Sequence, residues 1–93
     1  MKFRAENNDW HHGFQMDFAN GCTISVQFSK GNYCDEGKTT AEVAVWNGDG
    51  DWMTWEGSYW KIYPNGETEV MPRQTTDDVA MLISELVKLK NWL

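Results

Sequence analysis

The segment from Phe14 to Phe28, FQMDFANGCTISVQF, constrains this chain more than any other. Apolar and polar residues alternate on both sides of Asn20-Gly21, which is the period of a half-buried strand, and Asn-Gly marks a tight turn. Burial then selects the register. A two-residue loop of Asn20 and Gly21 would set Phe18 against Thr23 and Met16 against Ser25, so the apolar halves of the two strands would face opposite sides. A three-residue loop, Ala19-Asn20-Gly21, sets Phe18 against Cys22, Met16 against Ile24 and Phe14 against Val26, and one face becomes wholly apolar. Such a loop is a type I turn followed by a left-handed glycine. Cys22 is thereby assigned to the core, while Gln15, Asp17, Thr23, Ser25 and Gln27 form a polar face.

The rest of the chain is read against this hairpin. Residues 1–13 lack periodicity and read as an irregular arm anchored by Phe3 and Trp10, with a turn at Asn7-Asn8-Asp9. A loop rich in Gly, Asn, Asp and Lys spans Ser29 to Thr39. Thr40 to Trp46 alternates as a strand, with Ala41, Val43 and Val45 on one face and Glu42, Ala44 and Trp46 on the other. Asn47 to Asp51 turns the chain, and Trp52 to Trp55 is a short strand. A second hairpin is expected from Tyr59 to Met71 around Pro64-Asn65-Gly66. The same loop type opposes Trp60 to Val70, Ile62 to Thr68 and Lys61 to Glu69. Pro72 ends that run. Thr75 or Thr76 then caps a helix over 76–91, with Asp77 and Asp78 in its first turn and Lys88 and Lys90 in its last. Val79, Leu82, Ile83, Leu86 and Leu89 recur at helical spacing.

These elements predict a single α+β domain over residues 1–93: the arm 1–13, a sheet over 14–71 and the helix. The sheet is expected to be antiparallel, a meander of hairpins with five to six short strands, and the amphipathic C-terminal helix to pack on one face. A chain of 93 residues buries only about 60–65% of its unfolded surface. Six Trp, four Phe and three Tyr enlarge that small core and put some rings at the surface.

Fourteen acidic and eight basic residues leave a net charge of −6, which argues against binding a nucleic-acid backbone by counterion release. The N-terminus MKFRAENND is too polar for a signal peptide, and no apolar run approaches a membrane span. The expectation is a cytoplasmic protein with no membrane association and with Cys22 and Cys34 as reduced thiols. Their spacing matches no zinc pattern. Asn47, Asp49 and Asp51 alternate like the opening of a calcium loop, but Trp52 stands where its glycine belongs and Ser58 where its glutamate belongs. Asp9, His11 and His12 could act as ligands or a base, yet adjacent histidines in a strand point to opposite faces. Cys34 is followed by Asp35 and Glu36, which oppose a thiolate. No cofactor, metal site or catalytic constellation is therefore expected, and an enzyme using Asp9, His11 and Cys34 ranks last.

The aromatic residues carry the functional expectation. The alternation sends Trp60 to the core and Trp46, with Trp52 or Trp55, outward. The binding candidates are Tyr33, Trp46, Trp52, Trp55, Tyr59 and Tyr63. Exposed rings among acidic residues suit a protein interface; they could also stack on a nucleotide or a sugar. Burial of all six tryptophans, with the helix on one side and the arm on the other, has equal standing. A thin sheet with an aromatic outer face would also bury it in a homodimer.

The run Phe18 to Phe28, followed by Gly31-Asn32-Tyr33-Cys34 and Ala41-Glu42-Val43-Ala44, resembles a segment of short uncharacterised proteins of tailed bacteriophages and prophages. In them an F-x-N-G-x-T-x-S-V-Q-F-like stretch precedes G-N-Y-C and A-E-V-A. The likeness spans Phe14 to Trp46 and leaves out the Trp-rich second half and the helix. It implies a phage origin and the bacterial host cytoplasm, and it carries no activity or site residue with it. The leading expectation is a non-enzymatic phage accessory protein that binds a host or phage macromolecule through an acidic, aromatic surface. The alternative is a small-ligand binder using exposed tryptophans.

Overall fold

Alternating apolar side chains build one antiparallel sheet, and a computed structural model describes it through residues 2–7, 12–29, 34 and 38–90. The strands are β1 (Lys2–Asn7), β2 (His12–Asp17), β3 (Thr23–Gln27), β4 (Thr40–Trp46), β5 (Trp52–Trp55), β6 (Trp60–Tyr63) and β7 (Met71–Thr75), followed by helix α1 (Thr76–Val87). The α+β architecture, a meander with one C-terminal helix packed on the sheet, is the expected one. The order is β1-β2-β3-β4-β5-β6, and β7 returns to pair with β4. β4 thus shares one edge between β5, at Val45 and Trp46, and β7, at Thr40 to Val43.

The opening hairpin has the register that burial selects. Phe14 opposes Val26, Met16 opposes Ile24, and the loop closes through Phe18 N–H to Cys22 O at 2.8 Å and Gly21 N–H to Phe18 O at 3.0 Å. Gly21 is left-handed, with φ 91°, a conformation that side-chain-bearing residues avoid. Ile24, Val43, Val45 and Met53 are fully buried on the helix side against Leu82 and Leu86.

Four expectations are corrected. Within the arm read as irregular, Lys2 to Asn7 forms β1, paired along its length with β2 from Lys2 opposite Asp17 to Asn7 opposite His12. Its neighbour in the sheet supplies the order that its own sequence pattern does not advertise. The expected turn at Asn7-Asn8-Asp9 and the anchor Trp10 fall largely outside the described residues.

The second hairpin is different. β6 pairs with β5, opposing Met53 to Ile62 and Trp55 to Trp60, and Lys61 stands opposite Thr54 rather than Glu69. Asn65 and Gly66 both have positive φ, 62° and 78°, so they are the two central residues of a primed turn and Pro64 is its first corner. Residues 67–70 form no strand, and Glu67 to Glu69 are exposed. Pairing apolar Met53 and Trp55 with β6 buries more apolar surface than Thr68 and Val70 would offer.

The third correction concerns Pro72, which lies inside β7 instead of ending the sheet. Val43 opposes Met71 and Ala41 opposes Gln74, so Pro72 and Arg73 together face Glu42 in a bulge. A bulge tolerates a residue without an N–H. Arg73, at φ 53°, takes up the bend.

β7 runs directly into α1. Thr75 is the N-cap: its Oγ1 accepts from Asp78 N–H at 3.1 Å, and Asp78 Oδ2 accepts from Thr75 N–H at 2.9 Å. This reciprocal box satisfies two otherwise orphaned donors. Asp77 and Asp78 lie in the first turn, where the dipole favours them. The helix ends at Val87 with Lys88 as C-cap, several residues before the expected 91.

Candidate aromatic site

Register places the candidate residues before any packing is considered. One row crosses the sheet as Asp17, Thr23, Trp46, Trp52 and Tyr63 on β2 to β6. Side chains in such a row share a face. The neighbouring residues Val45 and Met53, both in the core, and Ile62, in register with Met53, occupy the helix side, so Trp46, Trp52 and Tyr63 stand together on the other, outer face. Trp46 and Trp52 stack with centroids 5.8 Å apart and planes at 30°. All three rings are half-buried.

Polar groups hold the far end of this row. The Thr54 hydroxyl donates to Glu56 Oε2 at 2.8 Å and lies 3.2 Å from the Tyr63 hydroxyl. Lys61 Nζ sits 5.0 Å from the Tyr63 ring centroid, a cation–π contact worth about 0.5–1 kcal/mol at an exposed site. The near end is set by the β4–β5 turn. Asn47 is buried there; its Oδ1 accepts from Asp49 N–H at 2.9 Å and from Asp51 N–H at 3.0 Å. That oxygen is thus committed to the turn backbone, and the alternating Asn47, Asp49 and Asp51 serve a tight turn. Trp46, Gly50 and Trp52 line a shallow depression of about 210 Å³ beside them. Asp49 and Glu56 are exposed at opposite ends, so the rings lie in an acidic frame.

The remaining candidates go elsewhere. Trp55 points to the helix side and packs on Trp60, centroids 5.3 Å apart at 59°. Tyr59, 59% exposed on the β5–β6 turn, joins them in lining a groove of about 360 Å³ against Lys88 and Leu89. Tyr33 lies outside the described residues, as do Asp9 and His11. The outer row therefore gathers Trp46, Trp52 and Tyr63, and the groove gathers Trp55 and Tyr59. Sequence reading missed Lys61 and Thr54 as partners of Tyr63, although the alternation Trp52-Met53-Thr54-Trp55 already separates Trp52 from Trp55.

The thiols are not a reactive pair. Cys22 is fully buried, and burial pushes its pKa up to about 11, which keeps it protonated and unreactive at neutral pH. Cys34 is half-buried with Sγ 4.0 Å from Ser29 O. Neither forms a disulfide. Among the described residues, no three His, Cys, Asp or Glu side chains cluster to hold a metal ion, and no helix is long and apolar enough to cross a membrane. Comparison with protein-family models, curated proteins and solved structures yields no match.

Proposed function

We propose that this protein is a small non-enzymatic binding module that engages a protein partner through the outer face of β4, β5 and β6. The observation that carries the reading is the row Trp46, Trp52 and Tyr63 across three strands, with Trp46 stacked on Trp52, Tyr63 next in register and each ring still half-exposed. Rings fixed by cross-strand packing lose little entropy on binding and offer a flat apolar centre. The acidic frame of Asp49 and Glu56, with the net charge of −6, favours a partner with basic side chains around its own apolar patch. Phage origin and action in the bacterial cytoplasm belong to the same proposal, through the resemblance of residues 14–46.

A photoreactive phenylalanine analogue placed at Tyr63 tests it in bacterial cells, with the same analogue at exposed Ser84 on the helix as control. A discrete protein adduct is expected from position 63 alone, lost on Trp52→Ala. No adduct, or equal adducts from both positions, would overturn the reading. The groove beside Trp55, Tyr59 and Trp60 favours a second reading, since about 360 Å³ lies within the range of small-ligand sites. A nucleotide or sugar co-purifying in native mass spectrometry, and released by Trp55→Ala, would support that alternative.

A further inference from the structure

β1 forms one edge of the sheet, and among the described residues no strand pairs with its other side. An open edge is a template for another strand, and proteins usually blunt it with a proline, a bulge or an inward-pointing charge. β1 has no proline, bulge or inward-pointing charge; it does carry Lys2 and Arg4, charges of the kind that also discourage edge pairing, and Asp17 already holds Arg4. Its register with β2 runs without a shift, and its helix-side positions are Phe3 and Ala5. The helix packs chiefly over β4 and β7 and leaves these positions open. Phe3 is 75% exposed and Val87, across a groove of about 360 Å³, is 57% exposed. This uncovered apolar strip lies on the opposite edge and face from the aromatic row, so it stands independently of the proposed function.

We propose that β1 pairs antiparallel with β1 of a second copy about a two-fold axis through Arg4, joining two sheets into one. Directly opposed residues must share a face, so the axis passes through a residue and not between two. An axis at Arg4 sets Phe3 against the small Ala5 of the other copy, twice, and Lys2 at the register position of Glu6, twice. Large meets small, and positions of opposite formal charge meet at both ends. Arg4 then faces its own copy, but Asp17 Oδ1 already holds its guanidinium at 2.7 Å and offsets that charge. An axis at Ala5 would instead set Phe3 against Asn7. The strip on β1 is thus complementary to itself, which a two-fold interface requires.

Cysteine cross-linking in the full chain carrying Cys34→Ser tests the axis. Buried Cys22 does not compete. Residues on the axis would lie about 4.5–5.5 Å apart between Cα atoms, within disulfide reach. Positions one residue off the axis are separated by about 7–8 Å. Arg4→Cys is expected to form a covalent dimer on mild oxidation and Ala5→Cys not to. Light scattering is expected to give a dimer mass for the wild type at high micromolar concentration. Phe3→Asp, at an exposed position, is expected to raise the dissociation constant about 100-fold or more with an unchanged circular dichroism spectrum. A monomeric wild type overturns the proposal, whether or not another protein's strand takes the edge; so does cross-linking through Ala5→Cys in place of Arg4→Cys.

Discussion

Replacing Asn20 by alanine is expected to destabilise the protein far more than a change in a surface turn should. Asn20 sits in the hairpin loop yet is only 5% exposed. Its Nδ2 donates to Leu86 O at 2.9 Å and to Leu89 O at 3.2 Å, and its Oδ1 accepts from Cys22 N–H at 3.0 Å. The side chain therefore caps the C-terminus of α1 from a loop more than sixty residues away in the chain. Alanine leaves the buried Cys22 N–H without its partner, which costs about 1–3 kcal/mol, and loses the helix cap, worth about 1 kcal/mol more. Leu86 O keeps its bond from Leu89 N–H at 3.2 Å, which limits the second loss. The sum, about 3 kcal/mol, corresponds to a fall in Tm of about 12–24 °C for a domain of this size. Asn20→Asp should do no better at neutral pH, because it retains the acceptor but turns a carboxylate toward two carbonyl oxygens. Urea denaturation measures the stability, and hydrogen exchange of the amides at 86–90 reports the helix end. A loss under about 1 kcal/mol in Asn20→Ala, with those amides still protected, would refute the capping argument.

Two further outcomes follow from the backbone and the buried thiol. A Cβ on Gly13 would collide with the Val26 carbonyl oxygen and meet the Gln27 carboxamide at 2.9 Å; Gly13→Ala is expected to cost about 3 kcal/mol, and a chemical-denaturation midpoint equal to wild type would contradict that. Cys22 has its pKa raised from 9.0 to about 11 in the folded chain, so between those values the unfolded state sheds a proton that the folded state keeps. Stability is whole below pH 9 and should fall by about 1.4 kcal/mol per pH unit as the pH rises toward 11; the same slope in Cys22→Ala would assign the loss to other groups.

Much of this fold is legible in local pattern. The three-residue loop at Ala19 to Gly21 follows from a single requirement, that one face be apolar, and a one-residue slip would have reversed every side chain. β4 and β5 are likewise readable, because Ala41, Val43 and Val45 alternate with Glu42, Ala44 and Trp46 and turn residues bracket both strands. The helix follows from its spacing and from Thr75 and Asp78. β1 was not legible, since KFRAEN has only Phe3 to mark it and its order comes from β2. The second hairpin was misread because Pro64-Asn65-Gly66 is compatible with more than one turn, and which strand β6 joins is decided by Met53 and Trp55, distant from that turn.

The candidate site divides in the same way. Alternation within each strand sends Trp46 outward and parts Trp52 from Trp55, but it leaves open which of the two joins Trp46; the register of Trp46 opposite Trp52 decides that. That Tyr63 completes the row, with Lys61 over its ring, depends on β6 pairing with β5, a choice made by competing apolar contacts and not by neighbours in sequence. Asn20 shows the same limit from the other direction. Its place in a turn is a local matter of backbone conformation, readable from Asn-Gly. Its role as the cap of α1 exists only once the sheet has brought the loop to Leu86 and Leu89, because a hydrogen bond depends on position in space and the chain reaches that position only through tertiary packing.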